Sequence, residues 1–394
     1  MTYWFAAFSA TFFALYWIFP IAPFRRALIL LSSAVFLFHF SGPAGVLPIF
    51  VLGLLTYISG ISSFIWLKKI TIAICVMALI FYKYTLFLSL ELISFFDASI
   101  AITTSEYLKA SFLPDVPPLA ISFFVFEFVH YLIDTIRGEK PIKSIVDFGL
   151  FSLFWPSMVA GPIKRYEQFI PALRKTEKVP SEELMYGMIR VAVGLIKKFI
   201  ADNLTSILEV WTANFDNLPM SLRWACFLGY GLRILLDFSG YSDIAIGFAR
   251  MMGVKIPENF NWPYLARSPI DFWHRWHISL STWIRDYVYI PLGGGRQGLT
   301  RKIINVLFAF SLCGLWHGAG WNFIFWGAYH GAGVGLNNLW REKFNGYRFK
   351  SKISHMLGSF FAWAFTLLFV MVGWVFFFFP LEKASHILGK LLGL

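Results

Sequence analysis

Charged residues are scarce in this 394-residue chain, and their scarcity excludes an ordinary soluble protein. Only 14% of the residues are Asp, Glu, Lys or Arg, whereas 58% are hydrophobic and 20% are aromatic, and the mean hydropathy is +0.64. A water-soluble fold has too little interior to hide that much apolar surface. Because a helix needs about 20 residues to cross a bilayer, the chain has room for about ten spans with short connections. We therefore predict one polytopic transmembrane domain over residues 1–394.

Cysteine is also rare. The chain has three cysteines, and Cys75, Cys226 and Cys313 each lie in an apolar stretch without CxxC spacing. An odd count with no paired spacing indicates packing residues, not a disulfide framework or a thiolate metal site.

Several enzyme signatures are missing as well. The sequence contains no GxxxxGK[ST], no GxGxxG after a strand and no GxSxG, which disfavours P-loop phosphoryl transfer, dinucleotide redox chemistry and serine hydrolase chemistry. A thioester donor fits better, because its acyl carbon is already activated and a histidine base in a dry tunnel can suffice. His274 and His277 have a spacing that metal ligands can share, but no third ligand follows at a recognisable interval. We expect no metal and no bound cofactor.

The chain is basic, with 34 Lys and Arg against 22 Asp and Glu and a formal charge of +12. In a soluble protein this excess would suggest nucleic acid, but here the basic residues cluster between apolar blocks, as in the cytoplasmic loops of membrane proteins. The clusters are Arg25-Arg26, Lys68-Lys69, 137–143, 164–178 and 341–352. If the first two clusters are cytoplasmic, the N-terminus and a loop over 97–115 lie outside. Membrane lipid is the expected surrounding, and no nucleic-acid partner is expected.

The apolar blocks show no strand-like alternation, so the predicted fold class is all-α with about 10–11 helices. The blocks run from about 2 to 19, 27 to 40, 45 to 66, 70 to 95, 117 to 136, 146 to 161, 184 to 209, 219 to 250, 303 to 316, 319 to 338 and 354 to 379. The first block has no charged n-region and no clear cleavage site, which indicates a retained span. The SGPAG segment predicts a hairpin between the second and third blocks. Pro and Gly breaks at the end of 146–161 indicate a re-entrant segment.

His317 is the first candidate for catalysis. It follows an apolar run that starts at Ile303 and stands in CGLWHGAGW, where the flanking glycines leave space for a ligand or a neighbouring backbone. A histidine suits proton abstraction from a hydroxyl because its reference pKa of about 6.5 lies near working pH. The alternative is a helix-packing histidine bonded to a neighbour's carbonyl.

The segment 270–290 is predicted to be one amphipathic helix. Asp271 can then pair with Arg275, and Asp286 with a nearby cation. Trp273, His277 and Ser281 would share a face at i, i+4 and i+8.

Two further polar stripes allow two interpretations each. Glu127, His130 and Asp134 fall on one face of the block 117–136, and Asp237 and Asp243 lie in LLDFSGYSDIAIG. Such groups form either a cavity lining or proton path, or a hydrogen-bonded face packed against another helix.

The motifs from 117 to 334 give the chain a family resemblance. They are PPLAISFFVFEFVHYLIDTIRG, WPSMVAGPIKRYEQF, DFSGYSDIAIGFARMMGVKIPENFNWPYLARSPIDFWHRWHISLSTWIRDYVYIPLGG and CGLWHGAGWNFIFWGAYHG. With them the chain resembles the membrane-bound O-acyltransferase (MBOAT) family over nearly its full length. The YSDIAIG and YIPLGG wording is closer to the bacterial alginate and peptidoglycan O-acetyltransferases than to the D-alanyl transferase of teichoic acids.

The resemblance implies an architecture and a reaction. It implies a ring of helices around a central tunnel, with re-entrant and amphipathic helices, in the bacterial inner (cytoplasmic) membrane. Cytoplasmic acetyl-CoA would be the acyl donor, an extracytoplasmic polysaccharide the acceptor, and a periplasmic acetyltransferase the partner that completes transfer. A basic cytoplasmic face at Lys164, Arg165 and Arg174 would favour an anionic donor, but a positive-inside loop predicts the same charges. These three residues are therefore not assigned to the site.

The resemblance also implies site residues. His317 takes the place of the family's catalytic histidine, and His277 that of the second histidine in the RWH motif. The side chains expected to bind substrate or line the tunnel are Trp316, Asn259, Trp273, Ser281, Asp237 and Tyr241.

Two alternatives remain open. A transport protein would use the same polar faces to line a path for a polymer or acyl group without making a bond. A transferase of D-alanyl or longer acyl groups would keep the fold and the histidines but change the donor. The WHG and RWH elements favour an enzyme over a conduit, because a passive path needs no base.

Overall fold

Helices form the regular structure of the chain, whose computed structural model describes residues 3–111, 118–174, 179–344 and 352–394. In these ranges the only β pairing is an isolated bridge between Phe260 and Trp276, so the all-α prediction is confirmed. Parts of two predicted basic loops, 175–178 and 345–351, lie outside the described residues. The α-helices are α1 Tyr3–Ile18, α2 Ala22–Ile61, α3 Ile65–Ser94, α4 Ala98–Ser111, α5 Ile121–Ile136, α6 Ile145–Ser152, α7 Tyr166–Arg174, α8 Ser181–Ala213, α9 Met220–Met251, α10 Pro269–Arg275, α11 Ile278–Ile284, α12 Gly298–His317, α13 Trp321–Lys343, α14 Lys352–Phe378 and α15 Leu381–Leu391.

Four described helices are long and apolar enough to cross a membrane: Ala22–Ile61, Ile65–Ser94, Gly298–His317 and Ile353–Phe378. This is fewer than the number of spans that length alone allows, because α8 and α9 carry ionisable residues such as Lys197, Arg233 and Asp243. On α14, Phe361 and Phe365 are 65% and 70% exposed. Phenylalanine surfaces of this size belong in contact with lipid.

Helix α2 folds back on itself at Gly42. This residue has φ +61° and ψ 178°, a conformation that is essentially restricted to glycine. Leu30, before the break, lies against Gly149, and Tyr57, after it, has its ring 5.5 Å from that of Phe148. A straight helix would separate the two contact residues of α2 by about 40 Å. The two arms therefore lie side by side, and the hairpin predicted at SGPAG is confirmed.

The segment 97–115 was predicted as a loop, and this prediction is wrong for its described part. Residues 98–111 form α4, while Asp115 lies outside the described residues. Asp97 caps the helix: its Oδ1 accepts hydrogen bonds from the backbone N–H groups of Ser99 at 2.8 Å and Ile100 at 3.0 Å. Together with a bond from the Ser99 hydroxyl, these lower the pKa of Asp97. An aspartate at this position favours a helix start.

The helical path breaks after α6, as the Pro and Gly positions predict. A single 3-10 turn, Trp155–Ser157, follows. The backbone N–H of Trp155 donates to the hydroxyl of Ser33 at 3.2 Å, and its ring packs at 5.2 Å from Phe8 and 5.4 Å from Phe12. The irregular backbone at Trp155–Ser157 is thus buried in protein. Non-helical backbone is tolerated at membrane depth when it is buried in this way.

The chain comprises two compact units. The first contains Met1–Val191 and Ile244–Pro257, and the second contains Ala192–Asp243 and Glu258–Leu394. The core of the second unit is rich in tryptophan, with Trp326 and Trp374 each 1% exposed. Every site residue predicted from the sequence lies in the second unit.

Candidate active site

The hairpin of α12 and α13 places His317 at the end of a transmembrane helix. The two helices approach closely because a Cβ at Gly314 would overlap the carbonyl oxygen of Phe323, and one at Gly327 would overlap that of Phe310. Small residues at such contacts let two membrane helices touch along their backbones. The close contact fixes the end of α12, and with it the position of His317.

His317 lies half-buried among aromatic rings. Its imidazole centroid is 4.7 Å from Trp316, 5.1 Å from Trp326 and 5.2 Å from Phe377, and its plane is nearly perpendicular to the last two rings. The following glycine, Gly318, makes room for the ring of Phe323. The space expected beside this glycine is therefore occupied by a side chain of the same chain.

His277 lies in a sharp turn, where the sequence predicted a continuous helix over 270–290. Helix α10 ends just before it and α11 begins just after it, and His277 itself has φ +43°. Residues other than glycine adopt this left-handed conformation uncommonly. The turn destroys the helical register, so the predicted shared face of Trp273, His277 and Ser281 is wrong.

The cause of the turn is Asn259, which lies far away in sequence. Its backbone oxygen accepts from the N–H of Ile278 at 3.0 Å. Its side-chain Oδ1 accepts from the hydroxyl and the N–H of Ser279 at 2.7 and 3.2 Å, and its Nδ2 donates to Ser242 at 3.3 Å. Asn259 is fully buried. These hydrogen bonds replace those that would have continued α10 into α11.

The two ion pairs predicted for this segment do form. Arg275 Nε donates to Asp271 at 2.7 Å, one helical turn away, and Arg285 Nε donates to Asp286 at 2.8 Å. The predicted i, i+4 pair of Asp271 and Arg275 is therefore confirmed although the helix ends after it, because both residues lie within α10.

The imidazole of His277 is buried, with 1% of the residue exposed. Its ring is perpendicular to Phe238 at a centroid distance of 4.6 Å. Neither ring nitrogen has a hydrogen-bond partner among the described residues. Leaving a buried polar group unpaired costs about 1–3 kcal/mol, and such a group needs an explanation in function or in a missing partner.

Trp316 links the two histidines. Its ring centroid is 6.2 Å from that of His277 and 4.7 Å from that of His317, and the two imidazoles are close enough to interact electrostatically. Trp316 is 8% exposed. The structure therefore brings together three residues that the sequence assigned to the site, around one indole ring.

Trp273 and Ser281, in contrast, line a cavity of about 520 Å³ whose described lining includes neither His277 nor His317. The Ser281 hydroxyl donates to the backbone oxygen of Trp276 at 3.3 Å. These two residues therefore line a cavity whose described lining excludes the two histidines.

The remaining predicted residues lie on α9. Asp237 accepts from Lys198 at 2.7 Å, and Asp243 from Lys197 at 2.6 Å, so the ion-paired interpretation describes both carboxylates. Tyr241 is half-buried.

Comparison with known proteins identifies the family. The family model described as "MBOAT, membrane-bound O-acyltransferase family" matches residues 51–379. The chain belongs to this family. The resemblance predicted from the motifs is thus confirmed, and with four apolar helices of spanning length an MBOAT chain is a multi-pass membrane protein.

Bacterial O-acetyltransferases are among its curated relatives. A probable alginate O-acetylase of Azotobacter vinelandii is 36% identical over 384 residues, which cover 94% of this chain and 72% of that protein. Another, of Pseudomonas putida, is 39% identical over 284 residues, covering 71% and 56%. A peptidoglycan O-acetyltransferase of Helicobacter pylori is 32% identical over 306 residues, covering 70% and 57%. The chain spans little more than half the length of the last two proteins.

The polar stripe of the first unit is ion-paired. Glu127 accepts from Lys164 at 2.5 Å, and Asp134 lies 3.6 Å from Arg137 and 4.0 Å from Arg165. For Glu127 and Asp134 the interpretation as a packed, paired face is therefore confirmed. Lys164 is 1% exposed, so the prediction of a basic surface at this residue is wrong: its charge is directed inward, to a carboxylate. Arg174 likewise pairs with Asp147.

Sequence reasoning missed His330. It is fully buried on α13, and neither ring nitrogen has a hydrogen-bond partner in the described parts of the chain. Its ring lies 4.9 Å from Trp326, which in turn contacts His317, and 5.3 Å from Trp273. A signal was present, because the motif WGAYHG places a histidine between aromatic and small residues one helical turn after Trp326.

Proposed function

We propose that the chain is an O-acyltransferase that transfers acetyl from cytoplasmic acetyl-CoA to hydroxyl groups of an extracytoplasmic polysaccharide, directly or through a periplasmic acetyltransferase partner. The observation that carries the proposal is the pair of histidines around Trp316, one buried without a partner and the other half-exposed. Family membership supports acyl transfer, and the names of the relatives support acetyl as the group transferred and a polysaccharide as its acceptor.

In the proposed reaction His317 is the general base. Its imidazole takes the proton of the acceptor hydroxyl as the oxygen attacks the thioester carbonyl carbon, and the C–S bond breaks to release the thiolate of the donor. The imidazolium then returns its proton to the departing sulfur. A histidine base of this kind contributes about 10²–10⁴-fold to the rate.

His277 would bind or orient the reactants beside Trp316. Because its two nitrogens are buried and unpartnered, a carbonyl or hydroxyl of a reactant that reaches it gains a hydrogen bond without displacing a protein partner. The transport alternative gives these nitrogens no role.

The test is acyl transfer from labelled acetyl-CoA by the purified protein in lipid, with a polysaccharide acceptor and a periplasmic partner supplied. We expect His317→Ala to lose transfer by at least 10²-fold, while His386→Ala, an exposed histidine paired with Asp216 on the surface, retains it. The proposal is supported if label appears on the acceptor with the wild type and with His386→Ala, but not with His317→Ala. Full transfer by His317→Ala contradicts the assignment of the base.

If the protein transfers a D-alanyl or longer acyl group but not acetyl from acetyl-CoA, the assignment of His317 as the base stands and the proposed donor is wrong. Movement of polymer across the membrane with no acyl transfer in any condition would favour the conduit. The folded state of each variant is checked by its thermal unfolding in detergent.

A further inference from the structure

We propose that the cavity of about 520 Å³ in the second unit is a binding site for one anionic membrane phospholipid. Its described lining does not include His277 or His317, and the inference does not depend on the acyl-transfer proposal. Its described lining comes from α10, α11, α12, α13 and the π-helical segment Arg285–Tyr289 that follows α11.

Basic side chains are among the residues that line the cavity. Lys302 and Arg285 line the cavity, together with the exposed His274. Lys302 has no ion pair among the residues that the structure describes. Arg285 pairs with Asp286, which offsets part of its charge, but its side chain is 60% exposed and keeps other N–H groups for a ligand. Guanidinium and ammonium groups suit a phosphodiester, and basic pockets between membrane helices bind anionic head groups.

Most of the remaining wall is apolar and suits an acyl chain, with Ser281, Thr282 and Asn338 as its polar members. Val306, Ala309 and Phe310 of α12 line the cavity. On the same helix Ile304 and Phe308 are 50% and 55% exposed, as expected of a surface in contact with lipid. The helix that lines the cavity is therefore also exposed to lipid, and a phospholipid has both parts that the wall matches.

A buried donor on the wall also lacks a partner. Trp273 is 5% exposed and lines the cavity, and its indole N–H makes no hydrogen bond within the described residues. Because the indole nitrogen is itself buried, a ligand oxygen such as an ester carbonyl of a glycerophospholipid reaches this donor only when the ring turns toward the cavity.

The lining argues against a reacting acyl donor at this place. Neither His277 nor His317 is among the described residues that line the cavity, and the rings of Trp273 and Phe310, 4.9 Å apart, form part of its wall. A donor bound here would not meet the proposed base. A lipid that stays bound has no such requirement.

The experiment measures bound lipid on the intact protein. The protein is placed in nanodiscs of phosphatidylcholine containing a graded fraction of phosphatidylglycerol, and phosphatidylglycerol retained after transfer to mild detergent is counted by native mass spectrometry. We expect one retained molecule in the wild type. Lys302→Gln and Arg285→Gln should each weaken retention about five-fold, since a basic residue near an anionic lipid contributes about 1 kcal/mol. Arg301→Gln, the exposed neighbour that does not line the cavity, is the matched control and should retain the lipid.

A second variant tests the apolar part without changing charge. Ala309→Leu extends a side chain into the cavity and should expel the lipid, while Ile304→Leu, on the exposed face of α12, should not. The proposal would be overturned if Arg301→Gln lost as much phosphatidylglycerol as Lys302→Gln. It would also be overturned if the wild type retained phosphatidylcholine as well as it retains phosphatidylglycerol. Displacement of the retained phosphatidylglycerol by coenzyme A in the wild type would also overturn the proposal, in favour of a donor site.

Discussion

Two buried sites, one in each unit, hold their ionisable groups in different ways. In the first unit the Glu127 carboxylate is matched by the Lys164 ammonium at 2.5 Å. In the second unit, His277 and His330 are just as buried, yet none of their four ring nitrogens has a hydrogen-bond partner in the described residues. On the sequence Glu127, His277 and His330 look alike, because each is a polar residue among apolar and aromatic neighbours.

The difference teaches how to separate structure from function among buried polar groups. In a buried ion pair, the attraction between the two charges offsets the free energy lost on desolvation. Removing one partner leaves the other charge buried and unpaired, so the change affects stability first. An unpaired imidazole gives the fold little, so its removal affects activity first. The predictions below test this division, from the largest expected effect to the smallest.

The largest effect is expected from breaking the pair of the first unit. Lys164→Met leaves the buried Glu127 carboxylate without its partner and should cost about 3–5 kcal/mol of unfolding free energy. The measurement is the unfolding midpoint of the protein in detergent. In the double variant Lys164→Met/Glu127→Leu, both charges are gone and most of the loss should be recovered. A double variant as unstable as the single one would mean that the pair is not the source of the stability.

The next effect falls on activity. His277→Asn keeps a residue that tolerates the left-handed turn but removes the imidazole, so we expect acyl transfer to fall by about 10²-fold with an unfolding midpoint close to the wild type. Activity and midpoint are measured on the same preparation. If the midpoint falls steeply while the remaining folded protein keeps its activity, His277 is a packing residue and the division between paired and unpaired buried groups fails.

A smaller effect is expected at the residue that forms the turn. Asn259→Ala leaves the hydroxyl and the N–H of Ser279 without their acceptor, which should cost about 1–3 kcal/mol of stability. Transfer should fall as well, because the turn positions His277. The control is Asn214→Ala, whose amide donates to Val210 at an exposed site. Loss of activity with unchanged stability would instead favour a direct contact between Asn259 and a reactant.

The sequence predicted what depends on local pattern. The apolar blocks predicted most of the long helices and the hairpin at Gly42, and the WHG motif placed His317 at a helix end. These features arise from hydrophobic runs, from the conformational freedom of one glycine and from family motifs, all of which are read within a few residues.

The features that the sequence did not predict depend on partners far along the chain. The turn at His277 forms because Asn259 binds the backbone after it, and the charge of Lys164 turns inward because Glu127 lies on α5. Neither contact leaves a local signal, so a helical pattern was read through the turn. The start of α4 is different, since Asp97 is a local signal for a helix start.

The smallest predicted effect concerns pH and a cluster of three charged residues in the first unit. Glu183, in the first turn of α8, accepts hydrogen bonds from Lys255 at 2.8 Å and Arg250 at 2.6 Å, which lower the pKa of its carboxyl group. The unfolded chain has the ordinary value of about 4.3. Because the folded pKa is the lower one, the contribution to stability is complete above the unfolded value and is lost as the pH falls through the folded value.

Glu183→Gln should therefore unfold slightly more easily than the wild type at pH 7, by less than about 1 kcal/mol because Lys255 is exposed. The difference should vanish as the pH falls below about 4. The measurement is the unfolding midpoint of both proteins across this range. A difference that persists in acid would assign the effect to packing of the side chain. A difference that disappears would confirm that paired carboxylates of the first unit stabilise the fold through their charge, a role that the unpartnered histidines of the second unit do not share.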